Sequence, residues 1–595
     1  MPAPRPQAPL GATARALSPA QHRLLAETAL ALPERAERML ARPTHRALGR
    51  VVRDAVLFLL PGHPAHEAST PRLVSAASDA LAGLRTLQLP SGAFRGGDNV
   101  DSPPDTAFTI NDLAWARTAL TTTADGSTGQ GRLLAGLDLL LEAVTPALVH
   151  GGLHTPNHRW EIASALSRLW EALGDRSARE RAEQWLAEGV DLQADGLFSE
   201  RSANYAAHVS VPALLAMGRI LQRPDLLEAA DVATRRQADL TDATGLVETL
   251  ASRRQDQFER FDGGALHPWF RAHAARTGDP LTARAARRTA ARADADALLT
   301  LLALGVEDPR VLGALPAPAA DPTPEHPEVV ELATSGLVRA DHGTSSTVLY
   351  GGTDTARLGR VTSGTSSRPV LARFLGRSAG VREVRLSRDF FSLGPLRPGA
   401  PSPVEAPDGA LRFVLEEEVG GEYFQPLPPE ERRADGGYDL EFNGRFAAAM
   451  SFSRRPVRTL TLRTTMQATL RADELALRWD FVGPTTPICL LLALDGLDLG
   501  TDLRRDAQGR YVLEPAAGAA GEAAEPPFSA RCTLRGTEEQ LEISTEGDLG
   551  GRAFYDPGEA YSFLGASDEP AGDVLLIPAS TGSPLQLTLR ITPQG

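Results

Sequence analysis

The stretch GGLHTPNHRWEIASALSRLWEALGD (151–175) is where the fold of this chain is most legible. Ile162, Leu166, Leu169, Trp170 and Leu173 recur at the spacing of one helix face, and Gly174-Asp175 ends the run. A helix therefore starts just after Pro156 and stops at Gly174, with a second start signal immediately behind it. Similar punctuation recurs at Arg223-Pro224-Asp225 and Thr277-Gly278-Asp279-Pro280, each after a helical run, while Ser18-Pro19 opens the first long helix as N-cap and N1. The pattern predicts a series of helical hairpins reaching to about residue 314.

Residues 315–328, LPAPAADPTPEHPE, hold five prolines and read as a linker. Beyond it the grammar changes to strands. Segments such as TVLY (347–350), LRFVL (411–415), LTLRT (460–464) and LQLTL (585–589) alternate or run β-branched between Gly, Pro and Asp. The expected organisation is a helical domain over 1–314, the linker, and an antiparallel β-sandwich over 329–595 with two sub-sheets an option.

Composition bounds the function. The 595 residues carry 61 basic side chains, every one of them Arg, against 75 acidic ones, for a net charge of −14. The absence of Lys excludes Schiff-base and P-loop lysine chemistry. The acidic balance argues against nucleic acid as a partner, the one Arg-dense stretch (284–292) being short. Cys489 and Cys532 are the only cysteines, too few for a disulfide framework or a Cys-based zinc site. Two unpaired thiols in strands are expected, one bridge being the alternative. With no apolar leader at the N-terminus and no run of 18 apolar residues, the chain reads as cytoplasmic and not as a membrane protein; a chain trimmed of a leader, periplasmic or secreted, would read the same.

Scarce residue types mark where chemistry sits. All 12 histidines lie at or before His342, four of five asparagines fall in the helical half, and Tyr205 is the only tyrosine before residue 350. Polar clusters precede successive helices around Asp105, Asn157, Tyr205 and Arg253, which are 52, 48 and 48 residues apart. An inner helix, a turn, an outer helix and a return loop take up roughly 45–50 residues. That repeat brings each cluster back to the same end of its inner helix, onto one rim of an α/α toroid. Helix N-termini there add partial positive charge suited to a carboxylate. Asn157 on its own reads equally well as a helix cap. Trp160, beside His158, is the aromatic expected to stack on a sugar, while Trp115, Trp170, Trp185 and Trp269 are expected in the core.

With Asn157-His158 in HTPNHRW, Tyr205 after DGLFSERS, and the strand opening SGLVRAD (335–341), the sequence resembles the heparinase II/III-type polysaccharide lyase superfamily, an α/α toroid followed by an antiparallel β-sandwich. The resemblance implies β-elimination on a uronic-acid-containing oligo- or polysaccharide, with no cofactor and no metal. It makes Asn157 the carboxylate binder, His158 a base or neutraliser, and Tyr205 the acid or acid/base, with Arg254 assisting. Asn99, Asp105, His154, Trp160, Arg201, Asn204, Arg253 and His342 are then expected to contact substrate. It also implies a sandwich histidine in a His-Gly-His-Ala-Asp-like segment, but the comparable stretch here, RLGRVTSGTSSRP (357–369), has none, leaving His342 or Arg360 to complete the site. The structural zinc site of some relatives cannot be built from histidine beyond His342. Two other readings stay open: a glycoside hydrolase on the same fold using a carboxylate pair from among Asp105, Glu161 and Glu200, and a non-catalytic glycan-binding protein.

Overall fold

A computed structural model of the chain describes residues 17–60, 66–97, 99–123, 128–352, 368–406, 410–443, 447–500, 503–515, 526–556, 570 and 572–594. It divides into two compact units, one of Met1–Glu248 with Phe261–Ala320, the other of Thr249–Arg260 with Asp321–Gly595.

The first unit is helical: α1 Pro19–Ala41, α2 His45–Leu59, α3 His66–Leu87, α4 Pro103–Thr123, α5 Thr128–His150, α6 Pro156–Leu173, α7 Arg176–Leu186, α8 Val211–Ile220, α9 Pro224–Asp239, α10 His267–Thr277, α11 Pro280–Thr289 and α12 Ala295–Glu307. Local sequence sets the boundaries. Ser18 and Gln21 form a reciprocal capping box at the start of α1. Gly174, at φ 73°, closes α6 in the left-handed region that glycine adopts without a Cβ penalty, and Asp175 then caps α7 through Ala178 N at 3.1 Å. Even-numbered helices pack on one another, α2 on α4, α4 on α6, α6 on α8 and α10 on α12, and α12 returns to pack on α1 and α2. Trp269 of α10 donates Nε1–H to Ala207 O in the turn before α8 at 2.8 Å, which closes the ring: this is an (α/α) toroid with α2, α4, α6, α8, α10 and α12 inside. Among the described residues, one helix, Gly129–His150 within α5, is long and apolar enough by composition to cross a membrane. Its Leu133, Leu137, Leu140, Leu141, Val144 and Leu148 belong to the core of this unit.

The second unit holds two large sheets. The nine-stranded one runs, in spatial order, Arg504–Arg505, Tyr511–Val512, Val574–Ser580, Pro487–Asp495, Gly380–Arg388, Ala372–Leu375, Ser346–Tyr350, Leu337–Asp341 and Glu328–Leu332. The seven-stranded one runs Phe528–Arg535, Glu539–Gly547, Leu585–Pro593, Glu474–Val482, Val457–Leu470, Leu411–Phe424 and Ser402–Val404. All these pairings are antiparallel except Tyr511–Val512 with Val574–Ser580. Alternation decides which face is buried: from Leu462 onward in Val457–Leu470, Leu462, Thr464, Met466, Ala468 and Leu470 point inward. Met466, Ala468 and Leu470 share one core with Val384, Leu490 and Ile577 from the other sheet, which makes the unit a β-sandwich. Cys489 and Cys532 are free thiols in strands.

Candidate active site

A cavity of about 630 Å³ lies inside the helical unit, and all six inner helices or their leading turns line it. The α6 stripe shows how: Asn157, Glu161, Ser164 and Arg168 recur every three or four residues and face the cavity, spanning about 16 Å at 1.5 Å per residue. Arg46, Arg50 and Arg53 form the matching stripe of α2, and Phe108, Asn111, Asp112 and Trp115 that of α4. At the far end, Arg168 and Arg219 both reach Glu307 at 3.3 Å, and Arg219 also holds Glu171, tying the C-terminal ends of α6, α8 and α12 together.

Asn157, His158, Asn204 and Tyr205 line this one cavity. Asn157 does not cap its helix, where Thr155 holds the N-cap position. Its Nδ2 instead donates to both oxygens of Glu200, at 3.1 Å each, which fixes the amide plane. The His158 ring meets the edge of His154 at 4.7 Å, and His154 Nε2 stands 3.4 Å from Asn99 Nδ2. His154 and Asn99 are not among the lining residues. Tyr205 ends a short turn, Ala203–Tyr205, capped by Ser202 Oγ, which accepts from Tyr205 N at 3.1 Å.

Several expected contacts fall elsewhere. Trp160 is not a stacking platform: it is 1% exposed, donates Nε1–H to Asp191 at 3.1 Å and lies under the Arg159 guanidinium. Phe108, Trp115 and Trp269 line the cavity along with Tyr205, and the two tryptophans are buried as expected from sequence, Trp115 within the helical core. Asp105 is fully buried behind the wall, bound by Arg46 at 2.7 Å, and Gly97 passes so close that a Cβ there would stand 2.8 Å from its Cγ. Arg201 is buried and turned toward Gln193 at 3.2 Å, its backbone in the left-handed region at φ 53°. Arg253 and Arg254 belong to the segment Thr249–Arg260, which groups with the second unit rather than with the helices around it in sequence; the cavity is built without them. That segment is compact, with Thr249 donating to Glu259 O and Ser252 to Asp256. His342 sits in the turn after Leu337–Asp341, buried, and burial lowers its pKa. Arg360 and most of the stretch around it lie outside the described residues.

The charge on the wall comes from residues other than Arg201 and Arg253. Arg46, Arg50, Arg53 and Arg168 face Asp112, Glu161, Asp294, Asp296 and Glu307. Most of these carboxylates are already engaged: Asp112 by Arg53 and Asp296 by Arg50, while Asp294 caps α12 through Ala297 N. Of the three candidates for a hydrolase's carboxylate pair, Asp105 and Glu200 are held by Arg46 and Asn157, and Glu161 alone of the three lines the cavity. Among the described residues, no group of three or more His, Cys, Asp or Glu is placed to hold a metal ion.

Glu161 is the most perturbed acid here. Burial pushes its pKa up to about 8, against the opposing hydrogen bond from Asn111 Nδ2 at 2.9 Å. Ser164 donates to Asn111 Oδ1 at 2.8 Å and so aims the Asn111 amide at Glu161. In the unfolded chain this carboxyl ionises near 4.3. Because the folded value is raised, the contribution of this group to stability is full below about 4.3 and is lost as pH climbs toward 8. Glu161→Gln keeps the hydrogen bond and removes the slope. Melting temperatures measured at pH 5 and pH 8 are expected to differ by several degrees less in the variant than in the wild type; equal differences would refute the burial argument.

No family model and no curated protein matches this sequence. Solved structures share the fold. A mutant heparan sulfate lyase from Pedobacter heparinus aligns at a TM-score of 0.51 and 10% identity, covering 92% of this chain and 76% of that one. Heparinase III aligns at 0.51 and 11% identity, with the same coverage of 92% and 76%. A heparinase III gene product with methylated lysines aligns at 0.50 and 8% identity, covering 92% and 77%. The chain thus has the toroid-plus-sandwich fold of these lyases, at an identity where fold alone carries over.

Proposed function

We propose that this protein is a polysaccharide lyase that cleaves uronic-acid-containing glycans by β-elimination. The observation that carries the reading is the convergence of Asn157, His158 and Tyr205 on one cavity ringed by the inner helices. The C5 proton of a uronic acid is weakly acidic, so charge growing on the C6 carboxylate must be met by fixed donors. Asn157, its amide plane held by Glu200, and the neighbouring His158 supply them at the N-terminus of α6, where the helix dipole adds positive potential. A base removes the C5 proton, the C–H electron pair forms the C4–C5 double bond, the C4–O4 bond breaks, and an acid protonates O4. Tyr205 is the acid. Glu161, neutral near pH 7, adds no repulsion to an anionic ligand. Structures of the same fold that carry the names heparan sulfate lyase and heparinase III support an acidic glycan as the partner.

The test is incubation with a panel of uronic-acid glycans, following the ultraviolet absorbance of the C4–C5 double bond. Absorbance is expected with at least one glycan, and Asn157→Ala is expected to lower kcat about 10²–10³-fold. Reducing ends appearing without absorbance would identify a hydrolase and overturn the proposal. Binding with no turnover of any glycan would identify a carbohydrate-binding protein.

A further inference from the structure

The chain just after Tyr205 has an unusual backbone. Ala206–Ser210 form a π-helical turn, with Val211 N–H bonded to Ala206 O, five residues back. Pro212 explains it: proline has no N–H to give the residue 208 carbonyl, and its ring clashes with that carbonyl, so the ladder widens before α8 begins. Such widened turns gather at functional sites. Ala207, His208 and Val209 of this turn line the cavity, and one of them is exposed. Ala206, Ala207, Val209 and Ser210 are buried, while His208 is exposed and lines the cavity together with Tyr205, three residues earlier.

Resting on the lyase reading, we propose that His208 is the base that takes the C5 proton, paired with Tyr205 as the acid for O4. Tyr205 and His208 line the same cavity, so a base and an acid are offered to one bound sugar. The base must be neutral to act. The wall atoms around the open His208 ring lower its pKa by partial desolvation, as does the Arg50 guanidinium, while Asp294 and Asp296 pull the other way. The Phe261 ring meets it edge-on at 6.3 Å. Across the cavity α6 presents His158 and Glu161. The proton balance closes on the pair: His208 gains the C5 proton, Tyr205 gives its phenolic proton to O4, and the imidazolium then returns a proton to the phenolate.

The test uses the full chain and a glycan that the wild type converts to unsaturated product; with no such glycan the lyase reading itself fails, before His208 is at issue. His208→Gln and His208→Ala are expected to lower kcat/KM about 10²–10⁴-fold with unchanged melting temperature, and to abolish the acid limb of the pH profile. Solvent deuterium supplies an independent readout. Tyr205→Phe, still carrying the base, should exchange the C5 hydrogen without cleaving the chain, and His208→Gln should do neither. Activity within about threefold of wild type in both His208 variants, or C5 exchange surviving in His208→Gln, would assign the base to another group, His158 first, and overturn the proposal.

Discussion

Tyr205→Phe is expected to lower kcat/KM about 10²–10⁴-fold, the usual contribution of a positioned proton donor, while moving stability by no more than about 1 kcal/mol. The two effects separate because the turn does not depend on the phenol. Ser202 Oγ caps it through the Tyr205 backbone N–H, which phenylalanine retains. The ring keeps its place on the cavity wall, half-buried, so substrate affinity should change little and the loss should fall on kcat. Initial rates from the C4–C5 absorbance, with a melting curve of the same preparation, provide the check. A variant within threefold of wild type would remove Tyr205 from the chemistry and leave His208 and His158 to share both proton transfers.

How much of this was legible in the sequence depends on what each signal encodes. Helix ends were legible because caps are local: Ser18-Pro19 and Gly174-Asp175 each specify their own backbone. The sandwich was legible because period-two burial is written along each strand, as in Val457–Leu470. Asn157, His158 and Tyr205 stood out as rare residue types. The arginines of the cavity did not. Arg46, Arg50 and Arg53 share one face of α2 at helical spacing, but in a sequence a polar face turned to an enclosed cavity looks the same as one turned to bulk solvent. Only closure of the ring, with α12 against α1 and α2, distinguishes them. Trp160 was misassigned for a related reason: periodicity shows that it lies on a helix, not whether a neighbour such as Asp191 waits to bind the indole N–H. Thr249–Arg260 sits at the right distance in sequence for a further loop of the rim, and its grouping with the second unit depends on tertiary contacts that spacing does not encode.

Arg53→Met is expected to destabilise the helical unit by about 3–5 kcal/mol, the cost of leaving a buried charge without its main partner. Asp54 is fully buried in α2, and Arg53 binds its Oδ1 through Nε at 2.9 Å and Nη2 at 2.7 Å. Arg35 reaches the other oxygen only at 3.3 Å and is itself partly exposed. Burial already raises the Asp54 pKa and Arg53 opposes that rise, so the variant should hold Asp54 protonated to higher pH than the wild type does. Its deficit should therefore shrink as pH falls toward the range where the carboxyl is neutral in both proteins. Arg53→Met with Asp54→Asn removes both charges and should be less destabilised than Arg53→Met alone, because no ion is stranded. Urea midpoints for the wild type, both single variants and the double variant measure the coupling; simple additivity would mean that the pair contributes nothing as a pair. The double variant also addresses the cavity. Arg53 lines it and holds Asp112 at 3.3 Å, so Asp112 loses its partner even where the fold is restored. Recovered stability with weakened glycan binding would show that Arg53 serves the cavity charge balance as well as the core, whereas recovery of both would confine it to the ion pair with Asp54.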